Sequence, residues 1–153
     1  MAFLGTMNIV GSGLTAQQLR LDIISENITN MNTTRTEDGE DPYRRKMVVF
    51  EAQGGRNNFR MAMASAMGAS NREADGTGGV RVVEIAEDPS EFPLSYEPTH
   101  PDANEEGYLR LPNITLVKEI TDAMAATQAY SANVTAFNTL KSVISRGLEL
   151  GSR

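Results

Sequence analysis

The chain has 153 residues, no cysteine, no tryptophan, 6% aromatic residues and a formal net charge of −6. That length suits one domain with a modest core, and so few large aromatics argue against a big globular interior. Without cysteine there are no disulfides, thiolate metal sites or cysteine nucleophile; an acidic balance with no basic cluster beyond Arg44-Arg45-Lys46 excludes a nucleic-acid surface.

At the start, Met1-Ala2-Phe3-Leu4-Gly5 lacks the basic region, apolar run and cleavage site of a signal peptide. The expectation is a cytoplasmic protein or one exported without cleavage. Met7, Leu14, Leu21 and Ile28 then stand seven apart, and Val10, Gln17, Ile24 and Met31 stand three positions further on. This a/d seam predicts a helix over about 7–29 that packs lengthwise on another helix. Gly11 and Gly13 weaken its first turn, Ser12 or Thr15 is placed to cap or restart it, and Asn30, Asn32, Thr33 and Thr34 read as its end.

A polar turn over 36–42 follows, then a segment 43–51 whose Met47-Val48-Val49-Phe50 core predicts a strand. The stretch 54–79, rich in Gly, Ala, Ser, Asn and Met without steady periodicity, predicts a mobile loop with a helical turn around 59–67. Residues 80–85 alternate like a second strand, so the two would form a hairpin joined by that loop. A lone hairpin is marginal in water and needs something to lean on. Pro89, Pro93, Pro98, Pro101 and Pro112 make the next stretch an extended path, with room for a short strand at Leu94-Ser95-Tyr96.

The last third, 112–151, predicts the second long helix. Residues 123–140 contain no Asp, Glu, Lys or Arg, yet Thr127, Gln128, Ser131, Asn133, Thr135, Asn138 and Thr139 interrupt the run, so it is no membrane span. Leu116, Ala123, Tyr130, Phe137 and Ile144 form one seven-residue row; Ile120, Val134 and Leu148 fall four positions later, with Thr127 and Lys141 in the gaps. A solvated helix would carry charges on its other faces. Small uncharged residues there predict a helix contacted on more than one side, as in a multi-chain bundle; a long helix in an ordinary soluble bundle is the plainer alternative.

The fold class is therefore mainly α with a small β insert. Long N- and C-terminal helices pair as a coiled-coil-like bundle, with a short β-hairpin and an extended Pro-rich segment between them. Residues 1–35 are assigned to the N-terminal helix, 36–111 to the insert with its loop 54–79, and 112–153 to the C-terminal helix. No enzyme is expected. Gly11-Ser12-Gly13-Leu14-Thr15-Ala16 has the G-x-G-x-x-A form but no strand before it. His100, Asp102, Asn104, Glu105 and Glu106 lack the spacing of a calcium loop and a second His. Neither cofactor nor metal is expected, nor a Ser/His/Asp triad.

Several motifs carry a resemblance. Ser12 to Gln17, Asn27-Ile28-Thr29-Asn30 and Thr33 are similar to the signature of rod, hook and hook-associated proteins. Pro42 to Glu51, Glu87-Asp88-Pro89-Ser90, Tyr96-Glu97-Pro98, His100 to Asn104, Glu106-Gly107-Tyr108 and Pro112-Asn113 are more specific. Ala129 to Val134, Lys141 and Leu148-Glu149-Leu150-Gly151 complete the match. On these residues the chain resembles the flagellar basal-body rod proteins, and among them the proximal rod branch, over nearly all its length except 54–79. Thr99 stands where the family tends to have Gly, and Gln128 where it often has Arg.

The resemblance implies a structural subunit of a helical shaft that transmits torque from motor to hook. Implied partners are copies of itself, other proximal and distal rod proteins, the adaptor between export gate and MS ring at the rod base, and the flagellar type III export apparatus. The implied location is the basal-body rod across the periplasm, reached without a cleaved signal; neither nucleic acid nor membrane insertion is expected. The assembly interface is placed on the inner helices at Met7, Val10, Leu14, Leu21, Ile24, Asn27, Ile28, Asn30, Leu116, Ile120, Tyr130, Asn133, Val134, Phe137, Ile144 and Leu148. A helical binding module, such as a secretion adaptor or chaperone, is the competing reading.

Overall fold

A computed structural model describes residues 2–36, 41–53 and 78–151 of the chain. Its elements are α1 (Ala2–Thr29), β1 (Lys46–Ala52), β2 (Val80–Glu87), β3 (Leu94–Tyr96), β4 (Tyr108–Arg110) and α2 (Leu116–Gly151). The predicted loop 54–79 and its helical turn lie almost wholly outside the described residues.

Helix α1 begins well before residue 7 and runs unbroken through Gly11 and Gly13. The expected cap at Ser12 does not form. Its hydroxyl instead donates to the Ile9 carbonyl at 2.7 Å and accepts the Val80 N–H at 3.0 Å, pinning β2 to the middle of the helix. Tertiary support replaces local propensity here, as packing on an amphipathic face usually does.

Helices α1 and α2 pair antiparallel. Asn27 meets Glu119 near one end, and Gly13 meets Asn133 further along. At Gly13 the approach is close: a Cβ there would lie 2.9 Å from Asn133 Nδ2. With 28 residues against 36, at about 1.5 Å per residue, α2 outruns α1 at its C-terminal end.

The row Ala123, Tyr130, Phe137 and Ile144 faces inward as expected. Of its companion row only Val134 is half-buried. The structure turns Glu119, Ala126, Asn133 and Leu140 inward, three positions after the first row instead of four. Ile120 and Leu148, and with them Leu116, are exposed at 47%, 70% and 40%. The physical reason is the polarity of the inner row. Glu119 and Asn133 break the apolar pattern, and the pattern alone selects the neighbouring row.

β1 and β2 pair antiparallel from Lys46↔Glu87 to Ala52↔Val80, with a bulge at Val83 between the pairs Val49↔Glu84 and Phe50↔Val82. The ribbon leans on α1, running back along it from Asn27 towards Ser12. The second ribbon was half legible: β3 was expected, whereas its partner β4 was not. Residues 108–110 show little but Tyr-Leu-Arg, and only the central Leu109 is buried. Gly107, with φ at +84°, makes the tight return into β4, where a Cβ would crowd Tyr96 and Pro98.

Candidate functional site: the helical stem, its clasp and its outer faces

Where the stem meets the insert, three polar side chains are buried together: Asn27, Arg45 and Glu119. Asn27 lies in the last turn of α1, Arg45 immediately precedes β1, and Glu119 lies in the first turn of α2. Arg45 Nε donates to Glu119 Oε1 at 2.6 Å, and its Nη2 donates to Asp122 Oδ2 at 3.0 Å. Asn27 Nδ2 donates to Glu119 Oε2 at 3.2 Å and to the Lys46 carbonyl at 2.9 Å, while Asn27 Oδ1 accepts the Lys46 N–H at 3.0 Å. The Tyr43 hydroxyl donates to the same Oδ1 at 3.2 Å. Both Glu119 oxygens and both Asn27 amide atoms are thus engaged, as buried polar groups must be to avoid a desolvation penalty.

A second tier extends this clasp. Asn113 Oδ1 accepts the Arg45 N–H at 2.8 Å, and Asn113 Nδ2 donates to the Ser90 hydroxyl at 2.9 Å. Arg44 donates to the Asp88 and Ser90 carbonyls at 2.9 and 3.1 Å. Hydrogen bonds from the Ser90 backbone N–H and hydroxyl hold the Asp88 carboxyl below its usual range. Burial, and then the nearby Glu26 carboxylate, push the Tyr43 phenol above its usual range, so it stays a donor. Hydrophobic periodicity missed Arg45, Glu119 and Asn113, since none of them continues an apolar row; the basic run Arg44-Arg45-Lys46 ahead of a strand and the family motifs are the traces in sequence.

The sixteen residues assigned to an assembly interface separate by what they touch. Asn27 is 1% exposed and Ile24 is buried, so both are occupied within the chain. Met7, Val10, Leu14, Leu21, Ile28, Asn30, Tyr130, Asn133, Val134, Phe137 and Ile144 are half-buried. Leu116, Ile120 and Leu148 are exposed, and beside them stand Val117 at 72%, Met124 at 69% and Leu150 at 78%, which the seven-residue rows omitted. Among the described residues, α2 packs on no element but α1.

The outer face of α2 is uncharged over 123–140, and its threonines offer few free donors. Thr121, Thr127, Thr135 and Thr139 each turn their hydroxyl back onto the carbonyl four residues earlier, at 2.8 to 2.9 Å. These threonines present methyl groups outward instead of the donors expected for a neighbour's polar groups. Such a surface, small and uncharged, with polar donors left at Gln128, Ser131 and Asn138, can pack closely against another helix.

The remaining sequence signals have structural occupations. The G-x-G-x-x-A run lies inside α1, without the strand that a dinucleotide turn requires. His100 Nδ1 accepts the Asp102 N–H at 3.1 Å, and Asp102 Oδ2 accepts the Thr34 hydroxyl at 2.8 Å, so these residues shape a turn and tie it to the segment that follows α1. No helix is long and apolar enough to cross a membrane among the described residues, and no acidic or histidine group there is arranged to hold a metal.

Comparison with known proteins gives consistent matches along the chain. The family model described as "Flagella basal body rod protein" matches residues 7–35, and that described as "Flagellar basal body rod FlgEFG protein C-terminal" matches 105–150. The chain is 44% identical to the flagellar basal-body rod protein FlgC of Bacillus subtilis, covering 95% of this chain and 96% of that one. It is 38% identical to FlgC of Borreliella burgdorferi with 98% of each covered, and 36% identical to FlgC of Salmonella typhimurium with 99% of each covered.

Proposed function

The chain belongs to the flagellar basal-body rod protein family, and from that premise we propose that it works in the proximal rod, helically assembled with copies of itself and with other rod proteins. It is a structural subunit. The shaft so formed carries torque from the motor to the hook. Its base meets the adaptor between export gate and MS ring, and the subunit travels through the flagellar type III apparatus to the periplasm without signal cleavage.

The observation that carries this reading is the outer face of α2: charge-free over 123–140, with large apolar side chains exposed at Val117, Ile120 and Met124 and its threonine hydroxyls already satisfied. A monomer rarely leaves so long an apolar helix face uncovered. Head-to-tail contacts that do not close into a ring would cover it and generate a shaft. The exposed members of the assigned interface, Leu116, Ile120 and Leu148, belong to that intersubunit surface; the half-buried ones act through the stem that presents it.

The test is a Val117→Asp, Met124→Asp double variant. Both positions are exposed, so thermal unfolding of the monomer should stay within about 0.5 kcal/mol of wild type. Incorporation into basal bodies and swimming should be lost, because each carboxylate would be buried unpaired on assembly. Normal motility with the double variant incorporated would refute the packing.

A further inference from the structure

Two surfaces away from the stem remain unexplained by helix packing. The first is on the β3–β4 ribbon, where Leu94, Tyr96, Tyr108 and Arg110 all point outward. Tyr96 and Tyr108 meet edge to face with ring centroids 5.3 Å apart, which fixes both rings. Beside them opens a recess of about 350 Å³ bordered by Leu94, Tyr108, Arg110 and Arg35. Arg110 is held by Asp41 at 2.6 Å, but Arg35 is exposed and has no partner among the described residues. Ordered tyrosines, a leucine and two arginines are the composition of an energetic centre in a protein–protein contact. Asp102 also borders the recess and Asp41 pairs with Arg110, so Arg35 is the cation there left without a partner among the described residues.

The second surface is on the β1–β2 ribbon. Its bulge leaves Val83 outside the ladder, and Val83, Ile85 and Val49 are exposed at 55%, 45% and 43%. Glu84 pairs with Val49 and shares its face, next to the bulged Val83, while Ile85 lies on the opposite face; Glu84 is exposed and without a partner among the described residues. An unpaired carboxylate set in an apolar patch is the complement of an unpaired guanidinium beside an apolar-aromatic recess. Within one chain the two ribbons do not touch, so the fit is between copies.

We infer that the β1–β2 ribbon of one copy docks on the β3–β4 ribbon of another, with Glu84 entering the recess at Arg35 and Val83 and Val49 against Leu94 and the tyrosine pair. The inference rests on the chain's assembling with copies of itself and adds a second contact remote from the helices. Each copy carries one donor and one acceptor face, so the contact is heterologous and propagates along an open array. The charges fix its register more than its strength.

Charge reversal tests it. Glu84→Arg and Arg35→Glu should each lower the amount of the chain in isolated basal bodies about tenfold, since like charges facing each other cost more than 1.4 kcal/mol. The double variant should recover most of the loss. Because the chain has no cysteine, a Glu84→Cys, Arg35→Cys variant treated with a short bis-maleimide should give interchain products in basal bodies alone. Wild-type incorporation of both single reversals, a double variant no better than the worse single, or absence of interchain products would each overturn the contact. Wild-type chain absent from basal bodies would overturn the rod reading itself, so the two failures are distinguishable.

Discussion

Arg45 and Glu119 form a 2.6 Å ion pair in which the carboxylate has no exposed surface and the guanidinium almost none. The two partners are not equally replaceable. Arg45 also reaches Asp122 at 3.0 Å and Asp88 at 3.8 Å, whereas without Arg45 the Glu119 carboxylate keeps only the Asn27 amide.

Arg45→Ala should therefore destabilise the monomer by about 4–5 kcal/mol, and Glu119→Ala by about 3 kcal/mol, because a stranded buried charge costs more than one with other partners. Urea unfolding of both variants checks the order. A larger loss for Glu119→Ala would show that Asp122 and Asp88 do not compensate.

The glycines along and against α1 should respond in opposite directions. Gly11 has open space where a Cβ would be, so Gly11→Ala should add about 0.5–1 kcal/mol by restricting the unfolded chain and favouring helix. At Gly79 φ is +141° and a Cβ would lie 2.6 Å from the Ser12 hydroxyl oxygen. Gly79→Ala should cost about 1–3 kcal/mol. Equal effects at the two positions would contradict the docking of β2 on α1.

Gln17 sits on the inner seam of α1 with its side-chain carbonyl oxygen buried and without a hydrogen-bond partner. Gln17→Leu removes that unsatisfied acceptor and completes the apolar row, and should raise monomer stability by about 1–2 kcal/mol. Differential scanning calorimetry reads the gain directly; a lower melting temperature would mean that the oxygen is satisfied in solution.

Acid should loosen the clasp through Asp88. Its carboxyl is held below the usual carboxylate range in the folded state, so its contribution is fully present above that range and is lost as pH falls through the lower folded pKa. Wild-type stability should drop more steeply below about pH 4 than that of Asp88→Asn, which cannot titrate. Stability curves from pH 5 to 2 that run parallel would exclude Asp88 from the acid limb.

Both helices were legible because they follow a seven-residue repeat over several turns, and Ala123, Tyr130, Phe137 and Ile144 do face inward. The companion row was misread because burial there belongs to Ala126 and to Glu119, whose charge is met by partners far away in sequence. Asn27 and Glu119 are 92 positions apart, and no local pattern announces such a bond. Likewise β4 is three residues long and takes its register from β3 and the turn at Gly107, not from its own composition. The family motifs carried what periodicity could not: Asn27, Arg45 and Asn113 all lie within segments quoted for the resemblance, before any contact between them could be inferred.

The bond between Asn27 and Glu119 also determines where stress runs. Along the backbone the two residues are separated by the whole insert, yet through the amide and carboxylate they are 3.2 Å apart. A twist imposed on α2 thus passes into α1 directly, through this bridge and the packed seam beside it, without having to follow the backbone of the insert. The stem behaves as a welded fork, stiff at its joined end and compliant where α2 overhangs. Changes in the insert should alter what the subunit grips more than how rigidly it turns.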